Sequence, residues 1–173
     1  MSSSLFDLTV PTYLQILGAV DGFLEKGRLH CQQNNIDLAE IVETRIYPDM
    51  FPFRFQIHSL AHHTLGAIEG IKRGSFSPRR DFPLHDYAGL QRFIQETLAG
   101  VQKLSAAEID SFAGRDVRFE NKDVKLPFTV ENFLLSFSLP NLYFHATTAY
   151  DILRSKGVPL GKRDFLGKMR LKK

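Results

Sequence analysis

The chain has 173 residues, of which 43% are hydrophobic and 15 are Phe, and its formal net charge is +3. This length and composition predict one globular domain, residues 1–173, with a sizeable core. No stretch reaches the roughly 18 uninterrupted apolar residues of a membrane span, and the start lacks the pattern of a secretory leader, so we expect a cytoplasmic protein with no membrane partner. A single cysteine, Cys31, excludes an internal disulfide and is predicted to be inert core.

Basic charge is concentrated at the carboxyl-terminal end of the chain. From Arg154 onward eight Lys and Arg residues stand against one acid, Asp164, which gives this end a net charge of +7 and the rest of the chain −4. A nucleic-acid-binding protein of this size usually spreads a basic face across its fold, so we expect no nucleic-acid partner. The basic tail, residues 157–173, is either a solvated terminus or a segment docked on an acidic surface. Its apolar residues are expected to pack back on the domain: Leu160, Phe165 and Leu166.

Helical periodicity dominates the first part of the chain. Thr9, two residues before a proline, predicts a helix start, and apolar residues at helical spacing continue to Asn34–Asn35. Asp37 and Glu40 have the spacing of a helix N-cap and its third residue, which predicts a short second helix. The two prolines of residues 47–52 predict a break before the next long helix.

The middle of the chain predicts two more long helices. The second long helix is expected to continue unbroken to Arg73, where Gly74 ends it. Residues 75–85 are rich in Arg, Pro and Ser and are predicted to form a surface loop. A third long helix is predicted from Asp86, with an apolar stripe that extends to Val101.

Smaller elements precede the last helix. Ser105 and Glu108 have the spacing of a capping box, which predicts a short helix. Apolar and polar residues alternate in 116–120 and 123–126 on either side of Asn121–Lys122. This alternation predicts a small hairpin that covers one end of a bundle.

A fourth long helix is predicted from Thr129 to Lys156, and Pro140 lies inside it. Proline removes a backbone hydrogen bond, so either the helix bends there or a short helix ends near Ser138 and the main one starts at Leu139. Four long amphipathic helices predict an all-α fold, a four-helix bundle with short extra helices.

The histidines are the candidate functional residues. His58 and His62 are four residues apart, which places two imidazoles on one helix face at the border of the core, whereas His63 is predicted to face away. His145 lies on the apolar side of the fourth helix, either as a hydrogen-bonded core residue or as part of a site. His58, His62 and His145 are therefore candidate ligands for Zn²⁺, Ni²⁺ or Fe²⁺, and a structural role for them is the alternative.

Three further residues of the fourth helix are candidates for a ligand pocket. Tyr143 and Tyr150 could each present a hydroxyl near His145, and Thr148 could share its helix face. For each of them, a place in the core or at the rim is the alternative. His85 lies in the predicted loop and is expected to be exposed.

Two segments resemble an uncharacterised subfamily of the DinB-like bundles. They are the closing run, Asn141 to Arg154 with Gly157 to Gly167, and the earlier segment Tyr47–Pro52, and the likeness extends over nearly the whole chain. The resemblance implies four helices in up-down-down-up order, a homodimer and a three-histidine metal site, which some members use in thiol-dependent transfer or isomerisation. The subfamily itself has no assigned activity, so the resemblance does not select one for this chain.

The metal site that this resemblance implies is incomplete here. One ligand would come from the second helix, matched by His58 or His62, and two would come from the fourth helix, four residues apart. His145 matches the first of that pair, but Ala149 stands at the other position and cannot bind a metal. The triad is complete only if His58 and His62 both contribute.

Three hypotheses about function follow. The first is a metal-dependent enzyme in which the ion polarises a small substrate or activates a thiol. The second is a binding module that holds a small ligand in the same histidine-lined cavity without a metal. The third is a structural or interaction protein that works through dimerisation. Any site is expected at the facing surfaces of the second and fourth long helices.

Overall fold

The computed structural model describes residues 4–79 and 81–172 of the chain. Its helices are α1 (Leu5–Asn34), α2 (Leu38–Glu43), α3 (Phe53–His62), α4 (Leu65–Arg73), α5 (Tyr87–Gln102), α6 (Ala106–Asp110), α7 (Val130–Asn132), α8 (Leu139–Ser155) and α9 (Lys162–Leu166), with a π-helical turn at Phe133–Ser138. The strands β1 (Ser75–Phe76), β2 (Asp116–Asn121) and β3 (Val124–Thr129) form one sheet in that order. Residues 1–3 of the predicted start, Arg80 of the predicted loop and Lys173 of the basic tail lie outside the described residues.

The long helices form the predicted bundle. α1 packs on α5 and α8, and α3 packs on the same two helices, so the four surround a common core with α1 and α3 at opposite corners. Apolar side chains from all four meet there, as helical periodicity requires. Within the part of the chain that the structure describes, no helix is long and apolar enough to cross a membrane.

The first helix starts earlier than predicted. Ser4 caps it: the Ser4 hydroxyl accepts from the backbone N–H of Asp7, and the Asp7 carboxylate accepts from that of Ser4. This reciprocal capping box satisfies two N–H groups at once, whereas Thr9 lies buried inside the helix and donates its hydroxyl to the Leu5 carbonyl at 2.7 Å. The predicted end is confirmed, because Asn35 adopts the left-handed conformation at φ 52°.

The second long helix is two helices, which corrects the prediction of an unbroken element. The chain leaves the helical path at His63 and Thr64, and Thr64 has φ −118° and ψ −90°. Its hydroxyl donates to the Leu60 carbonyl at 2.8 Å, and Ser138 donates to the His63 carbonyl at 2.7 Å. A continuous helix would have paired these two carbonyls with backbone N–H groups. At the break the two side-chain hydroxyls take the place of those N–H groups.

The predicted hairpin is confirmed as β2 and β3, which pair antiparallel around the turn at Lys122 and Asp123. A third strand, β1, pairs parallel with β2 inside the segment predicted to be loop. Two residues are too few to show an alternating pattern, so the sequence carried no signal for this strand. Its Phe76 is buried in the core and ties the sheet to the bundle.

The π-helical turn explains how the fourth helix accommodates Pro140. The main helix, α8, begins at Leu139 and has Pro140 in its first turn, as the second of the two predicted alternatives states. The Asn141 amide donates to the Phe137 carbonyl at 2.8 Å, which satisfies an acceptor at this irregular junction. Thr129 caps the preceding turn as predicted.

The start of the basic tail docks on α1. Lys26 pairs with Asp164 at 2.6 Å, and Gln15 donates to the Leu166 carbonyl at 2.8 Å. Leu160 is buried, which confirms that the segment packs back on the domain. Cys31 is fully buried in α1, as predicted.

Candidate functional site

His58 and His62 face the loop that precedes α5, residues 77–86. His58 is fully buried and donates its Nε2–H to the Pro83 carbonyl at 3.1 Å. His62 donates its Nε2–H to the Ser77 carbonyl at 3.0 Å. His62 lines the same cavity as His145, whereas His58 does not line it. The structure therefore does not bring His58, His62 and His145 together as one set of ligands.

His63 stacks on His145 of α8. It was predicted to point away from the core, yet it is only 6% exposed and its ring centroid lies 5.7 Å from that of His145. The two rings are nearly parallel, with 19° between their planes. The correction follows from the helix break after His62, because the prediction continued a regular 100° step through His63.

Gln56 orients His145. The Gln56 amide nitrogen donates to the Phe51 carbonyl at 2.9 Å, and this carbonyl can only accept. The amide oxygen therefore faces His145 and accepts from its Nδ1–H at 2.7 Å. His145 is held with the proton on Nδ1, which leaves the lone pair of Nε2 free.

Gln56 was not among the predicted site residues, although its position in the sequence carried a signal. Gln56 stands next to Ile57 at the border of the apolar stripe of α3 and is 2% exposed in the structure. A buried amide must find hydrogen-bond partners, so a glutamine beside such a stripe indicates a specific polar contact.

Burial keeps the imidazoles near α8 uncharged. It lowers the pKa of His145 to about 4, and repulsion from His62 contributes to the shift. Burial also lowers the pKa of His63 to about 3, with repulsion from His62 and His145 as smaller causes. The pKa of His62 is lowered too, again mainly by burial. All three rings are therefore neutral at pH 7, and each keeps one nitrogen lone pair.

A cavity of about 210 Å³ lies against these rings, between α3, the π-helical turn and the start of α8. Its walls are mainly aromatic and include Phe51, Phe55, Phe76, Phe119 and Phe137. Its polar lining includes Ser59, His62, His63, Asn141 and His145, with Arg79 at the half-exposed rim. We call this space the His145 cavity. An apolar pocket with a few oriented polar groups is the usual form of a small-molecule site.

Three predicted pocket residues lie elsewhere. Tyr143 is exposed, and Thr148 is buried with its hydroxyl donated to the Phe144 carbonyl at 2.8 Å. Tyr150 packs between Phe23 and Phe165, toward the tail. Each of the three therefore occupies the alternative stated for it, a place in the core or at the rim.

The donor atoms do not fit the three-histidine metal site that the resemblance implies. Ala149 is fully buried among apolar residues, and the Nε2 atoms of His58 and His62 are taken by backbone carbonyls. Within residues 4–79 and 81–172, no group of three or more His, Cys, Asp or Glu side chains is arranged to hold a metal ion. Metal binding stays a prediction, and its test is given below.

Comparisons with known proteins bear on the whole chain. The family described as "Domain of unknown function (DUF1993)" matches residues 5–166. The crystal structure of a DinB family member protein from Shewanella denitrificans is similar to this chain, with 26% sequence identity and a TM-score of 0.78. That similarity covers 98% of this chain and 95% of the other chain. No curated protein matches the chain.

Proposed function

The chain belongs to the DUF1993 family, a domain of unknown function, and for this member we propose the binding of a small aromatic ligand that carries one O–H or N–H group. The proposed site is the His145 cavity. The resemblance of the chain to the DinB-like bundles is confirmed by the family match and by the similar DinB structure. Neither comparison assigns a ligand to the chain.

One observation carries the proposal: the hydrogen-bond chain from Phe51 through Gln56 to His145. It holds a neutral imidazole with its Nε2 lone pair unprotonated, so the ring is an acceptor of fixed direction. A ligand that donates to this nitrogen completes its hydrogen bonding, whereas a ligand of the same shape without a donor leaves it unpaired. Such a difference is worth roughly 1–3 kcal/mol in a buried site.

The size and walls of the cavity define the class of ligand. At about 210 Å³ the cavity is smaller than the roughly 300–1,000 Å³ of sites for drug-sized molecules. Phe55 lies edge-on to His145, with 6.0 Å between the ring centroids, and Phe137 lies 5.8 Å from His63. Aromatic walls at these distances favour a flat ring. A single-ring compound therefore suits the site better than a larger molecule.

The test compares phenol, which has a donor, with toluene, which has nearly the same shape and none. We expect phenol to bind about tenfold more tightly than toluene. Gln56→Leu is expected to abolish most of this difference, because His145 loses the acceptor that holds its proton on Nδ1. Calorimetric titration gives the affinities, and long-range ¹H–¹⁵N spectra report which ring nitrogen carries the proton.

Gln33→Leu is the matched control, since Gln33 is exposed on α1. It should leave both affinities and the His145 tautomer unchanged. Equal affinity for phenol and toluene, or no effect of Gln56→Leu on the difference, would contradict the proposal.

Elemental analysis tests the metal-dependent alternative on untagged protein purified without chelators. From the donor geometry we expect Zn, Ni and Fe each to be well below one equivalent per chain. About one equivalent, lost in His145→Ala, would establish a metal centre in place of the proposed binding mode and would direct attention to thiol-dependent reactions.

A further inference from the structure

Arg79 supplies the charge at the mouth of the His145 cavity. Among the described residues that line the cavity it is the one that is charged at pH 7, because the imidazoles are neutral and the other lining side chains are uncharged. Its side chain is 53% exposed, and its guanidinium lies over the Phe82 ring, 5.6 Å from the centroid. A guanidinium held against a ring keeps its N–H groups, which lie in its own plane, available to an anion.

The 77–86 loop, which carries Arg79, is hydrogen-bonded to α3 on either side of this residue. Two imidazoles of α3, those of His58 and His62, donate to backbone carbonyls of the loop at 3.1 and 3.0 Å. His85 of the same loop is half-buried, with its ring centroid 5.1 Å from that of His58, which corrects the prediction that it would be exposed. These contacts hold the backbone of Arg79 beside the cavity.

The ion pair that Arg79 makes within the described part of the chain is weak. One atom pair joins it to Asp81, from Nε to a carboxylate oxygen at 3.5 Å, and the Asp81 side chain is 89% exposed. So exposed a pair is screened by salt and contributes little. A carboxylate that accepts from two N–H groups of the guanidinium at once is the better partner, because its two oxygens match the guanidinium fork. A ligand carboxylate can therefore replace Asp81.

The other charges near the cavity also favour an anion. Burial is the main cause of the lowered pKa of His62, and the charged side chains that add to it are Arg79 and Arg73. No carboxylate of the described residues contributes to the shifted pKa values of His63 and His145. The electrostatic potential at the cavity is therefore positive, which attracts an anionic group and repels a cationic one.

We propose that the ligand is a hydroxyaryl carboxylate, a single aromatic ring with a hydroxyl at one end and a carboxylate at the other. The hydroxyl donates to Nε2 of His145, and the carboxylate pairs with Arg79 at the rim. This inference rests on the proposed function, because it requires the ring to lie in the His145 cavity. The reverse orientation would bury the carboxylate among phenylalanine side chains, whereas at the rim it keeps part of its hydration. Arg79 is thus the residue that determines specificity for an acid.

The test compares 4-hydroxybenzoate with 4-hydroxyacetophenone, which has nearly the same shape and the same hydroxyl but no charge. In calorimetric titrations of the whole protein at pH 7 and low salt, we expect the acid to bind about fivefold more tightly. Raising the salt from about 20 to about 500 mM should reduce this ratio to about twofold or less, because the half-exposed pair is screened. Arg79→Gln should bring the two affinities together, and a thermal melt followed by circular dichroism will show that the variant is folded.

Arg163→Gln is the matched control, because it removes the same charge from an exposed residue of α9 that does not line the cavity. It should leave the ratio of the two affinities unchanged. Equal affinities in the parent protein, a ratio retained by folded Arg79→Gln, or the same loss in Arg163→Gln would overturn the inference.

The phenol and toluene titrations separate this inference from the proposed function. A preference for phenol over toluene, without a preference for the acid over the ketone, contradicts the inference alone. Loss of the preference for phenol contradicts the proposed function and, with it, the inference.

Discussion

Acidification from about pH 7.5 to about pH 5 is expected to lower the free energy of unfolding by roughly 6 kcal/mol. The cause is three histidines that fold in the neutral form: buried His58 and half-buried His145 with pKa values of about 4, and buried His63 with a pKa of about 3. Burial is the largest cause of each shift. In the unfolded chain all three titrate near pH 6.5.

The sign follows from which state binds the proton. Below pH 6.5 the unfolded chain takes up protons that the folded protein refuses, so the free energy of unfolding falls until the pH reaches the folded pKa values. At pH 5 each histidine contributes about 2 kcal/mol to this loss. The sum is comparable with the total stability of an ordinary domain, about 5–15 kcal/mol. Urea unfolding at a series of pH values measures it.

Carboxylates do not account for a loss in this window. The pKa of Glu25 is lowered to about 2, chiefly by its hydrogen bond with Arg28, and those of Glu131 and Asp164 are lowered as well. The corresponding unfolded values are 4.5 or below. Their contributions are therefore lost mostly below pH 5.

His63→Leu isolates one of the three contributions. Leucine has a similar volume and removes a buried Nδ1 that has no partner among the described residues, so stability at pH 7.5 should be equal or higher. The loss between pH 7.5 and pH 5 should shrink by about 2 kcal/mol. His30→Leu, at a partly exposed position on α1, should not change the loss. A full-sized loss in His63→Leu would contradict the assignment of proton uptake to His63.

Gly27→Ala is expected to lower the free energy of unfolding by about 3 kcal/mol. A methyl group at this position of α1 would collide with the Tyr87 hydroxyl and come within 3.3 Å of the Leu153 side chain. The hydroxyl is buried and donates to the Leu24 carbonyl at 2.8 Å. Displacing it combines overpacking with the loss of a buried hydrogen bond. Chemical unfolding measures the effect.

A double-mutant cycle tests this cause. Tyr87→Phe alone should cost about 1–2 kcal/mol through the lost hydrogen bond. In the Tyr87→Phe background the further cost of Gly27→Ala should fall to about 1 kcal/mol or less, because the colliding oxygen is gone. Gly18→Ala is the matched control: it lies in the same helix with open space around the added methyl, and should stabilise by about 0.5–1 kcal/mol. Additive effects of Gly27→Ala and Tyr87→Phe would contradict the collision.

Local signals predicted the framework well. The helix starts predicted at Asp37, Asp86 and Ser105 are confirmed, because the hydrogen bonds that cap each helix join residues two or three apart. The end of α4 at Gly74 holds for the same reason. The start predicted at Thr9 was wrong, because Ser4 and Asp7 form the capping box and Thr9 lies inside the helix.

The candidate site was predicted at the level of its helices but not of its side chains. Placing His145 on the core side of α8 required only a regular helical period, and the structure shows it half-buried and bonded to Gln56. Predicting which histidine packs against His145 required knowledge of the backbone path after His62. A uniform period placed His63 outside, whereas the break at Thr64 turned it inward.

The sequence by itself determined the all-α bundle, most helix ends and the hairpin, because these depend on apolar periodicity and on hydrogen bonds between near neighbours. Only the tertiary structure decided which histidines meet. Ser138, which is 75 residues from His63 along the chain, donates to the His63 carbonyl at the helix break. Gln56, which is 89 residues from His145, fixes the tautomer of His145. Likewise, His58 and His85 meet only because the 77–86 loop folds back over α3. Contacts at such separations leave no periodic trace in the sequence, since their energy appears only after the bundle has packed.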